Sequence, residues 1–292
     1  MCGIVAVIGS REAAPLLLEG LKQLEYRGYD SAGLATVASS LGDSKGVMTC
    51  QRAAGKLVNL SALVEEKGAA GNLGIGHTRW ATHGKPEERN AHPHRDQSAE
   101  IAVVQNGIIE NYRLLKEELQ REGVSFVSDT DTEVIPHLIA KEVHEMKLGG
   151  RNDSGAMLLA AVQKVSARLA GAYALAVVWS RIPDALVVAR RQAPLLIGLG
   201  EGEFLCASDT PALAGFTRTI LPMEDGEVAL LTPLGIELYD SQGNRKQRSP
   251  ELLSGIDHLA DKRNFRHYML KEIHEQPETA ELWVSRHLPA DL

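Results

Sequence analysis

The chain has 292 residues, 44% of them hydrophobic, with 31 Lys and Arg against 38 Asp and Glu and a net charge of -7. That length suits one large or two modest domains with a substantial core, and an acidic chain without any run of Lys and Arg points away from nucleic acid and anionic membranes, both of which need a basic footprint. Three cysteines, Cys2, Cys50 and Cys206, are too few for a disulfide framework and favour a reducing cytoplasm, and no apolar stretch nears the roughly 18 residues of a membrane span.

In chain order, residues 4–8 read as a buried strand, and Ala13, Leu17, Leu21 and Leu24 recur at helical spacing until Arg27 and Gly28 stop the helix. The apolar opening is too short for a signal peptide and has no basic flank. Strands follow at 34–37 and 47–50, then a helix over 56–66. Residues 74–98 begin as a strand and become a long irregular loop, which at this length is usually functional or disordered, and its composition argues for function. A strand over 101–104 leads to Asn106 and Gly107, and an amphipathic helix occupies 109–121. Thr130 to Glu133 fits a capping box opening a helix that runs to Met146, and another helix covers 154–169. Between 172 and 239 come six or seven short strands separated by turn residues, a spacing that predicts antiparallel pairing. Because strands and helices come in blocks, the pattern favours an α+β sandwich over a doubly wound fold. Beyond Gln242 the chain turns polar, with a linker over 248–263 and a last helix over 265–287.

Four groups of residues could carry chemistry. Cys2 stands behind Met1, and a small second residue permits removal of the initiator, leaving a thiol nucleophile and an α-amine of pKa about 7.7 to 8.0 on one residue. A small hydrophobe opening a strand is the plainer reading of that cysteine. Residues 77–84, His-Thr-Arg-Trp-Ala-Thr-His-Gly, offer an arginine fork suited to a carboxylate beside a rigid indole wall. His77, His83, His92 and His94 crowd one loop, but their spacing matches no zinc pattern, so structural hydrogen bonding is their expected use. Asn106-Gly107 reads either as a turn tolerating positive φ or as an oxyanion hole made by an amide and a backbone N–H. Asp131 is either a partner of a helix N-terminus or a site for an ammonium group. The glycines Gly198, Gly200 and Gly202 complete no dinucleotide fingerprint.

Taken together, Met-Cys2-Gly3-Ile4-Val5, residues 26–33 (Tyr-Arg-Gly-Tyr-Asp-Ser-Ala-Gly), residues 77–84, Asn90-Ala91-His92-Pro93-His94, Asn106-Gly107-Ile108-Ile109-Glu110-Asn111 and Thr130-Asp131-Thr132-Glu133 stand in the order found in the class II glutamine amidotransferases, which the chain resembles over its whole length. Residues 27–33 with Lys271-Glu272-Ile273-His274-Glu275-Gln276-Pro277 are similar to the branch of that family that aminates fructose 6-phosphate, of which the chain resembles the amino-terminal part only. One departure is Gln105, where many relatives have His.

The resemblance implies an N-terminal nucleophile hydrolase fold, a four-layer αββα sandwich with two antiparallel sheets. It implies a glutaminase domain over residues 2–242, followed at 243–292 by a linker and the start of a segment leading to sugar-isomerase domains. The roles it carries over are Cys2 as nucleophile on the carboxamide of L-glutamine and Asn106 with Gly107 as the oxyanion hole. Arg27 orders the nucleophile end, Arg79 receives the substrate α-carboxylate and Asp131 its α-ammonium, and Trp80, Thr82 and His83 line the pocket. No metal or organic cofactor is implied, fructose 6-phosphate is reached only through the sugar-isomerase domains, and the complete enzyme has room to be a homodimer. A free-standing glutaminase serving a separate partner chain and a noncatalytic glutamine-binding module are the alternative readings.

Overall fold

In a computed structural model, which describes residues 2–28, 30–39, 45–253 and 264–287, the chain divides into two compact units, Met1–Ile256 and Asp257–Leu292. The first unit contains, in order, β1 (Gly3–Gly9), α1 (Ala13–Gln23), β2 (Ser31–Ala38), β3 (Val47–Ala54), α2 (Leu57–Lys67), β4 (Leu73–Arg79), β5 (His94–Arg95) and β6 (Ile101–Gly107). Three helices follow, α3 (Tyr112–Arg121), α4 (Val134–Leu148) and α5 (Gly155–Arg168). Then come β7 (Tyr173–Trp179), β8 (Leu186–Arg191), β9 (Leu196–Gly200), β10 (Glu203–Ala207), α6 (Pro211–Ala214), β11 (Thr219–Pro222), β12 (Val228–Thr232), β13 (Gly235–Tyr239), β14 (Arg245–Lys246) and β15 (Glu251–Leu252). The described part of the second unit forms one helix, α7 (Tyr268–His287), with Pro277 inside it.

Strand periodicity dictates the layering. In β1, Ile4, Ala6 and Ile8 join a buried cluster with Ile75, Val104, Ala176 and Leu231, whereas Val5 and Val7 join a second cluster with Leu17, Leu21 and Leu60. Successive side chains of a strand face opposite ways, so a strand apolar at every position has to be covered on both faces. β6 behaves alike: Ala102 and Val104 face the first cluster, and Val103 meets Leu138, Ile139 and Leu158 in a third. Three cores stacked in this way define helices α1 and α2, an eight-stranded sheet, a seven-stranded sheet, and helices α3 to α5. The strand orders are β15-β11-β9-β10-β1-β4-β2-β3 and β14-β13-β12-β8-β7-β6-β5, and every pairing between strands is antiparallel. This is the four-layer α+β sandwich that the resemblance implied.

Seven strands, β7 to β13, fill the stretch where six or seven were expected. The sheets also continue past the expected boundary at residue 242, because β14 pairs with β13 and β15 pairs with β11. Of the expected linker, residues 254–263 lie outside the described residues, as do Met1 and Tyr29.

Three local expectations are corrected. The helix expected from residue 109 starts at Tyr112, because the Ile108 and Glu110 N–H groups donate to the Ala172 and Ala170 carbonyls, both at 2.9 Å, and hold the chain alongside the segment before β7. The Thr130–Glu133 capping box does not form. The Glu133 carboxylate accepts from the Val127 and Ser128 N–H groups at 2.8 and 2.7 Å, while Thr130 Oγ1 turns to Ser128 Oγ and His94 Nε2. Asn106-Gly107 is not a turn either, for both residues are the last rungs of β6, opposite Ala174 and Tyr173 of β7.

Candidate active site

The register of the first sheet places the nucleophile candidate. β1 pairs with β4 so that Gly3 lies opposite Thr78, which brings Cys2, just before β1, beside the residues that follow Arg79. The Trp80 N–H donates to Cys2 Sγ at 3.2 Å, and the thiol approaches the Trp80 carbonyl oxygen at 3.5 Å. Burial pushes the Cys2 thiol above its ordinary pKa, although the Trp80 N–H and the Arg79 charge pull the other way. The resting group is therefore a thiol, and attack on an amide requires a base to take its proton.

From the facing sheet, Asn106 Nδ2 donates to the Cys2 carbonyl oxygen at 3.2 Å, and Asn106 Oδ1 lies 3.0 Å from His77 Nε2. An amide oxygen only accepts, so Nε2 carries the imidazole proton. Gly107 has φ +107°, and a Cβ built on it would overlap the Ala172 carbonyl oxygen. Glycine is thus dictated there by the backbone at the entry to β7, independently of any chemistry.

Residues 79–85 fold around a buried arginine. Arg79 Nη1 donates to the Lys85 carbonyl at 3.2 Å, and Nη2 donates to the carbonyls of Gly84, at 3.2 Å, and His83. The guanidinium also lies 3.7 Å from Asp30 Oδ1, while Asp30 Oδ2 accepts the Ala81 N–H. Asn90, fully buried, closes the far side by donating to the Lys85 carbonyl at 3.1 Å and accepting from the Asp129 N–H at 2.9 Å. The Trp80 indole lies against Gly28, where a Cβ would overlap the ring, yet it is 54% exposed. His83 stands edge-on to Tyr112 and has Nδ1 3.9 Å from Asp131 Oδ1. Asp131 is buried and its carboxyl is pushed up by that burial, against the pull of the Ile109 N–H, His83 and Arg79. Thr82 is exposed on the loop. Arg27 donates from Nη1 to Asp209 Oδ2 at 3.0 Å and to the Ser208 carbonyl at 3.3 Å, and Ser208 Oγ accepts the Ile4 N–H, so this cation ties down the corner that holds the start of β1.

Behind Asn106 runs a buried row of three of the four histidines for which the sequence predicted structural hydrogen bonding, His77, His92 and His94. His77 and His92 are stacked at 4.1 Å with planes 11° apart, and His94 meets His92 edge-on at 4.7 Å. The Gln105 N–H donates to His92 Nδ1 at 3.2 Å, and Thr132 Oγ1 donates to Gln105 Oε1 at 2.7 Å. Position 105 holds His92 through its main chain, so glutamine in place of histidine leaves that bond intact. His94 Nε2 lies 3.0 Å from Thr130 Oγ1, which sits 2.9 Å from Ser128 Oγ, and that hydroxyl donates to Glu133 Oε2 at 2.6 Å. Burial raises the Glu133 carboxyl, but His137, the Ser128 hydroxyl and the two N–H groups bring it down to about 2. Among the described residues, no group of three or more His, Cys, Asp and Glu is placed to hold a metal ion.

Burial pushes His77 and His94 down to about 3 and His92 well below its ordinary value. The sign of the pH effect follows. The unfolded chain binds protons below about pH 6.5 that the folded chain refuses, so stability is complete above that value and declines as pH falls, by about 1.4 kcal/mol per pH unit for each histidine. Urea midpoints measured from pH 7 to pH 5 should fall accordingly, above the range where Glu133 titrates. A flat profile over that window would show the row protonating inside the fold.

A family model described as a glutamine amidotransferase domain matches residues 77–215. The chain is 53% identical over 291 residues to the glutamine--fructose-6-phosphate aminotransferase [isomerizing] of Thermosynechococcus vestitus, covering 100% of this chain and 45% of that one. It is 46% identical over 278 residues to the enzyme of the same name from Clostridium tetani, covering 95% and 43%. The chain therefore spans less than half the length of these relatives. Among solved structures, glutamine phosphoribosylpyrophosphate amidotransferase from B. subtilis, complexed with ADP and GMP, superposes with a TM-score of 0.68 at 27% identity, covering 84% of this chain and 50% of that one.

Proposed function

We propose that the chain is a class II glutamine amidotransferase domain in which Cys2, with Met1 removed, hydrolyses the carboxamide of L-glutamine to glutamate and ammonia, a reading supported by the glutamine amidotransferase domain match over residues 77–215 and by relatives 46% and 53% identical. The observation that carries the reading is the pairing at Cys2: a thiol held by the Trp80 backbone lies beside an asparagine amide whose nitrogen faces the same residue.

The α-amine of Cys2 takes the thiol proton, supplying the base that the raised thiol pKa calls for. Sulfur attacks the amide carbon, the C=O electrons move onto oxygen, and the oxyanion receives the Asn106 amide and the Gly107 N–H. Collapse expels ammonia, which leaves with the transferred proton, and forms a γ-glutamyl thioester. Water then attacks the thioester and returns the thiol. Arg79 and Asp131 bind the α-carboxylate and α-ammonium of glutamine, with Trp80, Thr82 and His83 around the ligand and Arg27 steadying the start of β1. Their support is proximity: the Trp80 N–H, next in the chain to Arg79, meets the Cys2 sulfur at 3.2 Å, and His83 Nδ1 lies 3.9 Å from Asp131 Oδ1.

In a longer protein, of the kind the relatives represent, the ammonia aminates fructose 6-phosphate in a reducing cytoplasm. The three free cysteines agree with that compartment. The test is an assay of the 292 residues with glutamine and fructose 6-phosphate together. Glutamate and ammonia are expected without amino sugar, because the relatives named for fructose 6-phosphate are more than twice as long. Amino sugar from this chain alone would refute the division of labour, and no glutamate from a correctly processed amino terminus would favour a glutamine-binding module.

A further inference from the structure

We propose that His77 is a positioning residue that fixes which end of the Asn106 amide meets the reacting carbon. The proposal rests on the oxyanion role of Asn106 given above. An asparagine amide is nearly symmetric in shape but opposite in polarity at its two ends, so a half-turn about its last bond would replace a donor by an acceptor. With oxygen forward it would repel the charge that it has to stabilise.

Two contacts decide between these states, one on each side. Behind the amide, His77 Nε2 faces Oδ1 at 3.0 Å; in front, Nδ2 faces the Cys2 carbonyl oxygen at 3.2 Å. The flipped amide would set Oδ1 against the Cys2 carbonyl, two acceptors with no proton between them. It would also turn Nδ2 toward a nitrogen that already carries hydrogen, two donors face to face. Amide orientation and imidazole tautomer are therefore one coupled choice. The ring is fully buried and stacked flat on His92, which is itself held by the main chain of Gln105 next to Asn106. The histidine that sets the orientation and the asparagine that uses it are thus referenced to the same strand, β6.

His77→Phe keeps a flat ring against His92 and removes the N–H. In steady-state glutamine hydrolysis it should lower kcat by about 10- to 100-fold, somewhat less than the loss of an oxyanion donor outright, with KM for glutamine changed by less than about twofold. His77→Gln, which restores a donor, should recover most of the loss, and it carries the test if the phenylalanine variant does not fold. The deciding measurement is the cycle with Asn106→Ala, in whose background His77→Phe should cost nothing further in kcat. A histidine that merely supports the fold would give the same factor in both backgrounds, and that outcome, or a loss appearing in KM, would overturn the proposal. Asn106→Ala retaining full kcat would instead remove the oxyanion reading on which it rests, a separate result.

Discussion

Cys2→Ala is expected to fold like the parent chain and to release no measurable glutamate, a loss on the order of 10⁵-fold or more in kcat when the group that forms the covalent intermediate is deleted. The fold is expected to survive because Cys2 lies just outside β1, and among the described residues its sulfur hydrogen-bonds with the Trp80 main chain alone. Losing such contacts at a half-buried position costs about 1 kcal/mol. Circular dichroism and a urea midpoint check the first half, and a coupled glutamate assay checks the second. Intact mass of the active parent belongs to the same experiment, since the amine can act as base only when Met1 is gone. Full activity with Met1 retained would transfer the base function elsewhere.

Asn106→Ala should lower kcat by about 10² to 10³ and leave KM almost unchanged, the pattern of an interaction made only in the transition state. The structure adds a stability term to this expectation. Truncation leaves the His77 Nε2–H buried without its acceptor, which costs about 1–3 kcal/mol. The kinetic comparison is therefore made well below the unfolding temperature of the variant. An unchanged kcat with reduced stability would make Asn106 a structural residue.

The α+β class and the antiparallel pairing were legible in the blocks of strands and helices, whereas the four layers came only with the resemblance; the structure supplies their cause, since Ile4 to Ile8 and Ile101 to Val104 are apolar at every position and are covered on both faces. The residues proposed for the site were legible as motifs: Cys2, Arg79, Asn106 and Gly107 sit at strand ends and Trp80, Thr82 and His83 on the loop after β4, while Arg27 closes a short turn after α1 and Asp131 lies just before α4. What could not be read depends on pairing across the sandwich. Asn106-Gly107 has the composition of a hairpin turn, and only the register with Ala174 and Tyr173 makes it a strand end. Glu133 has the spacing of a capping partner, but the backbone of Val127 and Ser128 competes for it. The row of His77, His92 and His94 had no visible period, because β4, the loop after it and β5 supply one ring each.

Both hydrogen-bonding contacts that the Cys2 sulfur makes with residue 80 come from its main chain, and the indole itself is largely in solvent. The side chain at that position is consequently free to vary without disturbing the thiol, so a library at position 80 would report on the ring alone. Gly28 shares this freedom only partly. Its overlap with the indole disappears when residue 80 is small, but its φ of +123° keeps the requirement for glycine. Substitutions at position 80 should therefore register in glutamine binding and leave the thiol's main-chain contacts in place, whereas any substitution at position 28 strains the backbone itself.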